Sequence, residues 1–294
     1  MHVLQNGVLR VQIAELGAEL QSIVTLSDTS EWLWQGDPLW WADRSPLLFP
    51  VIGRSPNDTV TIDGAPHSMP PHGFARSSLF RVLEADATEA RLELRSNPET
   101  IKSFPFDFRL EIAYRLQGNS LTCLAIVDNL DSRDITFQFG FHPAFNWPLP
   151  GAYGWTHVVE LGNRASPQMM QLDASGLLDK RPLTSPFSNG CITLHPALFQ
   201  AGAMVFEEDV GTNIAFAAGN TCIEMTTKNL PMFALWQKEG APFLCMEPWC
   251  GTAPSSAQGR ALENRNGSVV LPPQASKLFE MHLRFEGQSG SVKV

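Results

Sequence analysis

Apolar and polar residues alternate with a period near two through most of this chain, which restricts it to half-buried strands. VLRVQIAEL (8–16) follows the turn pair Asn6-Gly7. A hairpin is predicted around 60–69, centred on Asp63-Gly64, a pair that tolerates the positive φ angles of a tight turn. ARLELRS (90–96) alternates cleanly, and FRLEIAYRLQ (108–117) with LTCLAIVDN (121–129) flanks Gly118-Asn119 as a second hairpin. Further strands are read at 134–141, 213–219, 221–227, 233–238, 243–249 and 277–286. No window carries a capped helical period over three turns, and the best helical signal is a short turn near 195–201. Residues 163–190 are polar and irregular and read as a long surface excursion between strands. So many amphipathic strands bury their apolar faces most simply as large antiparallel sheets packed face to face. A sheet of that size curves, and its concave side offers a groove.

Composition supports one all-β domain spanning 1–294. Hydrophobic residues make up 44% and charged residues 17%, and the 22 glycines and 22 prolines are scattered rather than massed in a linker. The net charge of −9 comes without a basic stripe, which argues against a nucleic-acid partner. No stretch is long and apolar enough to span a membrane, and the first residues carry no basic leader before an apolar run. A cytoplasmic protein is the expectation. The five cysteines have neither zinc-knuckle nor CxxC spacing and read as free thiols in a reducing compartment.

Four segments place polar residues in apolar or rigid company. In LLFPVIGR (47–54) a tight turn puts Arg54 either beside a ligand oxygen or snorkelling at a strand end. In PPHGFAR (70–76) prolines and glycine hold His72 in a rigid loop, with Arg76 as an ion-pair partner or second cationic contact. In FGFHPAFNW (139–147) His142 stands among aromatics where a proline ends the strand. It is either a satisfied core histidine or an imidazole at a sheet rim. A second His-Pro, at His195-Pro196, shows that the dipeptide alone means little. In FLCMEPWCG (243–251) Glu247 interrupts an apolar strand. A buried carboxylate must be paired, protonated or functional, and apolar surroundings raise its pKa toward that of a working base.

Together these segments resemble the aldose 1-epimerases, or mutarotases, and within them the branch of LacX-like and hexose-6-phosphate epimerase-like proteins. The likeness runs through EWLWQGDPLWWADRSPLLFPVIGR (31–54), HGFAR (72–76), VDNLDSRDITFQFGFHPAFNW (127–147) and CMEPWCG (245–251), in the family's order. It implies a β-supersandwich with its site in a groove on one sheet. It implies Glu247 as the base that takes the C1 hydroxyl proton of a cyclic sugar. His142 would be the acid that protonates the ring oxygen, the two acting on nearly opposite sides of the ring. Arg54 and His72 would hold sugar oxygens, with Arg76 as a further contact. The resemblance implies no metal and no cofactor. The chain departs from the branch after Glu247, where it runs Gly251-Thr252-Ala253, and at Ala144, where a tyrosine is common. A free aldohexose, a hexose 6-phosphate and mere sugar binding on the same scaffold all remain open. A lyase would need a tyrosine base, and the chain has only Tyr114 and Tyr153.

Overall fold

A computed structural model describes residues 1–179 and 181–287. Every ladder between its named strands is antiparallel. The largest sheet has nine strands, running in spatial order from Cys191–Thr193 through Val158–Leu161, Asn213–Ala218, Thr221–Lys228, Ser276–Glu286, Ser120–Asn129, Phe108–Gln117 and Glu89–Arg95 to Arg81–Ala85. A six-stranded sheet centres on Phe243–Cys250, flanked by Met232–Trp236 on one side and by Phe139–Phe141 and Ala144–Asn146 on the other. A four-stranded sheet is built from the first 31 residues, and two hairpin-sized sheets complete the fold. The all-β expectation holds. Among the described residues, no helix is long and apolar enough to cross a membrane.

The two larger sheets share one core. Leu110, Ile112 and Phe279 from the nine-stranded sheet join Phe139, Phe233, Leu244 and Met246 from the six-stranded one in a single buried cluster. The Phe139 and Phe279 rings stack with centroids 4.9 Å apart, the kind of contact that adds roughly 1 kcal/mol beyond area burial. The hairpins form at their turn signals. Asp63 and Gly64 have φ of 50° and 78°, the doubly positive pair a two-residue turn requires. The helical signal becomes a 3-10 turn at Pro196–Phe199.

One expected strand is two. The run 134–141 divides at Gln138. Ile135–Phe137 pairs with Val269–Leu271, and Phe139–Phe141 crosses into the six-stranded sheet. The buried Gln138 side chain occupies the break. Its carbonyl oxygen accepts from the Ile52 N–H at 3.0 Å, and its amide donates to the Thr252 carbonyl at 3.0 Å. A polar residue in the middle of an aromatic strand thus ties together the segments that precede Arg54 and follow Glu247.

Candidate active site

Phe243–Cys250 is buried on both faces, so its sequence is nearly continuous in apolar residues. Leu244, Met246 and Cys250 face the main core. The alternate residues face away. Phe243 and Cys245 pack with Trp34, Ala144 and Ala241, and Trp249 packs with Leu48, Ile52 and Ala253. Glu247 lies between these two small apolar clusters.

His142 is delivered to Glu247 by register. Gly140 pairs with Trp249 and Ala144 pairs with Cys245, so the midpoint of the ladder sets His142 opposite Glu247. Pro143 interrupts the regular bonding because it has no N–H, yet its carbonyl accepts from the Met246 N–H at 3.0 Å and keeps the strands together. Gly140 is needed here, since a Cβ would lie 2.5 Å from the Trp249 ring. His142 Nε2 stands 3.0 Å from Glu247 Oε2, both side chains being buried. The approach is too oblique for a hydrogen bond, and Glu247 Oε2 and His142 Nδ1 have no partner among the described residues. Such orphaned buried atoms are rare and call for an explanation. The two residues stand side by side rather than on opposite sides of a ring's width.

His72 comes from a strained loop. It has φ of 64° and is followed by Gly73 at 76°. At Gly73 a Cβ would lie 2.1 Å from the Phe49 carbonyl oxygen, so only glycine fits. The loop is clamped to the Arg54 turn: the His72 N–H donates to the Gly53 carbonyl at 3.0 Å, and the Gly53 N–H donates to His72 Nδ1 at 3.2 Å. An accepting Nδ1 leaves the ring proton on Nε2. The His72 and His142 rings meet edge to face, 5.7 Å between centroids.

Arg54, His72, Arg76, His142 and Glu247 all line one pocket of about 520 Å³. The candidate residues are therefore brought together. Arg54 is half exposed and loosely paired with Asp58 at 3.4 Å. Arg76 is held in an ion pair with Asp43. Aromatics form part of the wall: the Trp41 ring lies 5.1 Å and the Trp236 ring 6.0 Å from that of His142. Trp249 also lines the pocket. His157, by contrast, is a core histidine with both ring nitrogens bonded, and His195 is exposed.

Burial sets the protonation of the site. It pushes the Glu247 carboxyl well above its ordinary range and the His142 imidazole well below its own, the latter helped by the charges of His72 and Arg76. His72 is lowered to about 4 by burial and then by Arg76. Both histidines and the glutamate thus favour their uncharged forms.

Two features were not foreseen. The excursion 163–190 is not merely superficial. It folds back over the six-stranded sheet through bridges from Met170 to Val205 and from Leu178 to Ser255. It roofs the pocket with Leu172, Asp173, Gly176 and Leu178. Asp173 also holds its own turn, accepting from the Ser175 N–H at 2.8 Å and the Leu177 N–H at 3.1 Å. The second feature is Trp41, which touches His142 from a loop. Nothing in either local sequence marks it as part of a pocket. The groove itself is on the outer face of the six-stranded sheet. A second hollow of about 640 Å³ on the nine-stranded sheet is lined by Glu160, Glu224 and Thr226 and has no histidine to pair with those carboxylates.

This architecture is that of the galactose mutarotase-like all-β proteins. The structure superimposes on a galactose mutarotase related enzyme from Lactobacillus acidophilus with a TM-score of 0.91 and 26% identity, over 100% of this chain and 99% of that one. For a galactose mutarotase-like protein from Lactobacillus casei ATCC 334 the TM-score is 0.90 and the identity 27%, over 97% and 99% of the two chains. The family model described as aldose 1-epimerase matches residues 1–155, and the chain belongs to that family. The matched stretch includes Arg54, His72, Arg76 and His142. Glu247 lies beyond it, but within the reach of a full-length relative, the chromosomal protein LacX of Lactococcus lactis subsp. lactis. That protein is 29% identical over 289 residues, 93% of this chain and 96% of its own.

Proposed function

We propose that this protein is an aldose 1-epimerase that interconverts the α and β anomers of a free aldohexose. The observation that carries the reading is the buried contact of His142 with Glu247 at the base of a pocket lined by His72 and two arginines. Ring opening needs a base for the hydroxyl on C1 and an acid for the ring oxygen. Both oxygens are bonded to the same carbon, so side-by-side groups serve them.

Glu247 as carboxylate takes the C1 hydroxyl proton while His142 as imidazolium gives one to the ring oxygen. The C1–O5 bond breaks, and C1 becomes an aldehyde. The pair is then neutral, the form its burial favours. Rotation about C1–C2 presents the other face of the carbonyl. On closure, the O5 hydroxyl proton returns to His142 and the Glu247 proton goes to the carbonyl oxygen. The protons balance over the cycle, and the pair alternates between an ion pair and its neutral form. The Nε2–H of His72 and the Arg54 guanidinium are suited to holding sugar oxygens.

A hexose 6-phosphate is the second reading, favoured by the presence of both Arg54 and Arg76 in one pocket. The neutral sugar is preferred because Arg76 is already committed to Asp43, Arg54 has Asp58 beside it, and Asp173 adds negative charge to the wall. Saturation-exchange NMR on glucose, galactose and glucose 6-phosphate tests the proposal. Exchange between anomers faster with enzyme than without, and lost in Glu247→Gln, is the expected result. Sugar binding without accelerated exchange would make the protein a non-catalytic carbohydrate binder.

A further inference from the structure

We propose that His142, Cys245 and Glu247 form a site for a thiophilic divalent cation such as zinc, and that the bound ion blocks the pocket. One possible ligand atom from each residue lies within 4.8 Å of the other two, and all three residues are buried. The triangle is set by sheet register rather than by loops. Cys245 and Glu247 are two residues apart on one strand and share its face. His142 is opposite Glu247, and Ala144, two residues on, is opposite Cys245. The shortest side is the 3.0 Å contact between His142 Nε2 and Glu247 Oε2.

Zinc bonds of about 2.0–2.3 Å in a tetrahedron put neighbouring ligand atoms roughly 3.5 Å apart. Side-chain rotations that move the donors by about an ångström bring this set to that geometry. Among the described residues, none of the three is committed elsewhere. Glu247 Oε2 and His142 Nδ1 are sealed from solvent and have no partner among the described residues. Cys245 is a free thiol against Ala144, Ala241 and Phe243, so its sulfur has apolar neighbours and no competing donor.

One sulfur, one nitrogen and one oxygen form a three-ligand set with the fourth position open. That position faces the pocket, which His142 and Glu247 line. The sulfur favours zinc, cadmium or copper over magnesium or calcium. Coordination releases the thiol and carboxyl protons to solvent. Because His142 and Glu247 are also the proposed acid–base pair, ion and sugar exclude each other. This last step rests on the proposed function; the ion site itself does not.

The test is a cobalt(II) titration of the purified full-length chain, read by absorption. A thiolate-to-cobalt charge-transfer band that saturates at one ion per chain, is lost in Cys245→Ser and Cys245→Ala, and is displaced by zinc is expected. No band, or a band that persists in both variants, overturns the site. In the unsubstituted protein loaded with one zinc, X-ray absorption should give one sulfur and otherwise nitrogen and oxygen donors. A shell without sulfur would also overturn it. If anomer exchange is found, zinc should slow it reversibly on chelation, and Cys245→Ala should keep basal exchange while losing at least about tenfold in zinc sensitivity. Unchanged zinc sensitivity in that variant would place the inhibition elsewhere.

Discussion

His142 and Glu247 face each other across an antiparallel ladder, at the one position where Pro143 interrupts its regular bonding. Because the strands hold the contact, Glu247→Gln, close to isosteric, should preserve the fold. On the proposed mechanism it should lower anomer exchange roughly 100- to 10,000-fold. Circular dichroism with saturation-exchange NMR checks both parts. A variant that keeps more than a tenth of the activity would remove Glu247 from the chemistry.

On the proposed mechanism the two groups act on one proton cycle, so their losses should not add. His142→Asn alone should match Glu247→Gln within about tenfold, and the double variant should be about as slow as the slower single one. Steady-state rates of the three variants measure the coupling. Multiplicative losses would mean that the residues act independently.

His72 offers a test that does not need activity. Its folded pKa, about 4, lies below the ordinary value of 6.5. Above pH 6.5 the residue is neutral in both states and adds no pH dependence. As pH falls from 6.5 toward 4, the unfolded chain takes up a proton that the folded one refuses, and stability is lost. The loss is at most about 3 kcal/mol, since a unit of pKa shift corresponds to about 1.36 kcal/mol and the ring keeps some contact with the pocket. His72→Asn, whose side chain tolerates the left-handed backbone, should flatten the fall of Tm over that range.

Gly73→Ala should be among the most damaging single-methyl additions in the chain. The new Cβ would meet the Phe49 carbonyl oxygen at 2.1 Å in a backbone conformation with φ of 76°. The conformation alone costs an alanine about 1–2 kcal/mol, and the clash adds to it. Urea denaturation should give a loss above about 2 kcal/mol. A smaller loss would mean that the His72 loop moves away from Phe49 with ease.

The arginines separate the two substrate readings. With a neutral sugar, Arg54→Ala should raise KM roughly 10- to 100-fold, the value of a hydrogen bond from a charged donor, whether or not the substrate is phosphorylated. With a sugar phosphate, Arg54→Ala and Arg76→Ala should raise KM for glucose 6-phosphate much more than for glucose. Initial rates on both sugars discriminate.

The strands and the polar residues that line the pocket were legible in the sequence for different reasons. Alternation marked most of the long strands because each of them hides one face. Glu247 stood out because a carboxylate in FLCMEPWC has no ordinary reason to be buried, and His142 because aromatics surround it. Pairing between distant strands has no local signal, so neither the division at Gln138 nor the side-by-side placement of His142 and Glu247 could be read. Asp173 escaped because Asp-Ala-Ser-Gly is the composition of any surface turn. What gives it meaning is the fold of the excursion back onto Val205 and Ser255.

That excursion has a consequence for how such a protein can change. The proposed acid–base pair is carried on sheet ladders, while the wall bearing Asp173 hangs from a loop that joins strands of the other sheet. Insertions and substitutions in 163–190 can reshape what enters without disturbing the register that aligns His142 with Glu247. On the proposed function, chemistry and selectivity would be inherited on separate pieces of chain, and a lineage could acquire a new substrate by exchanging one loop.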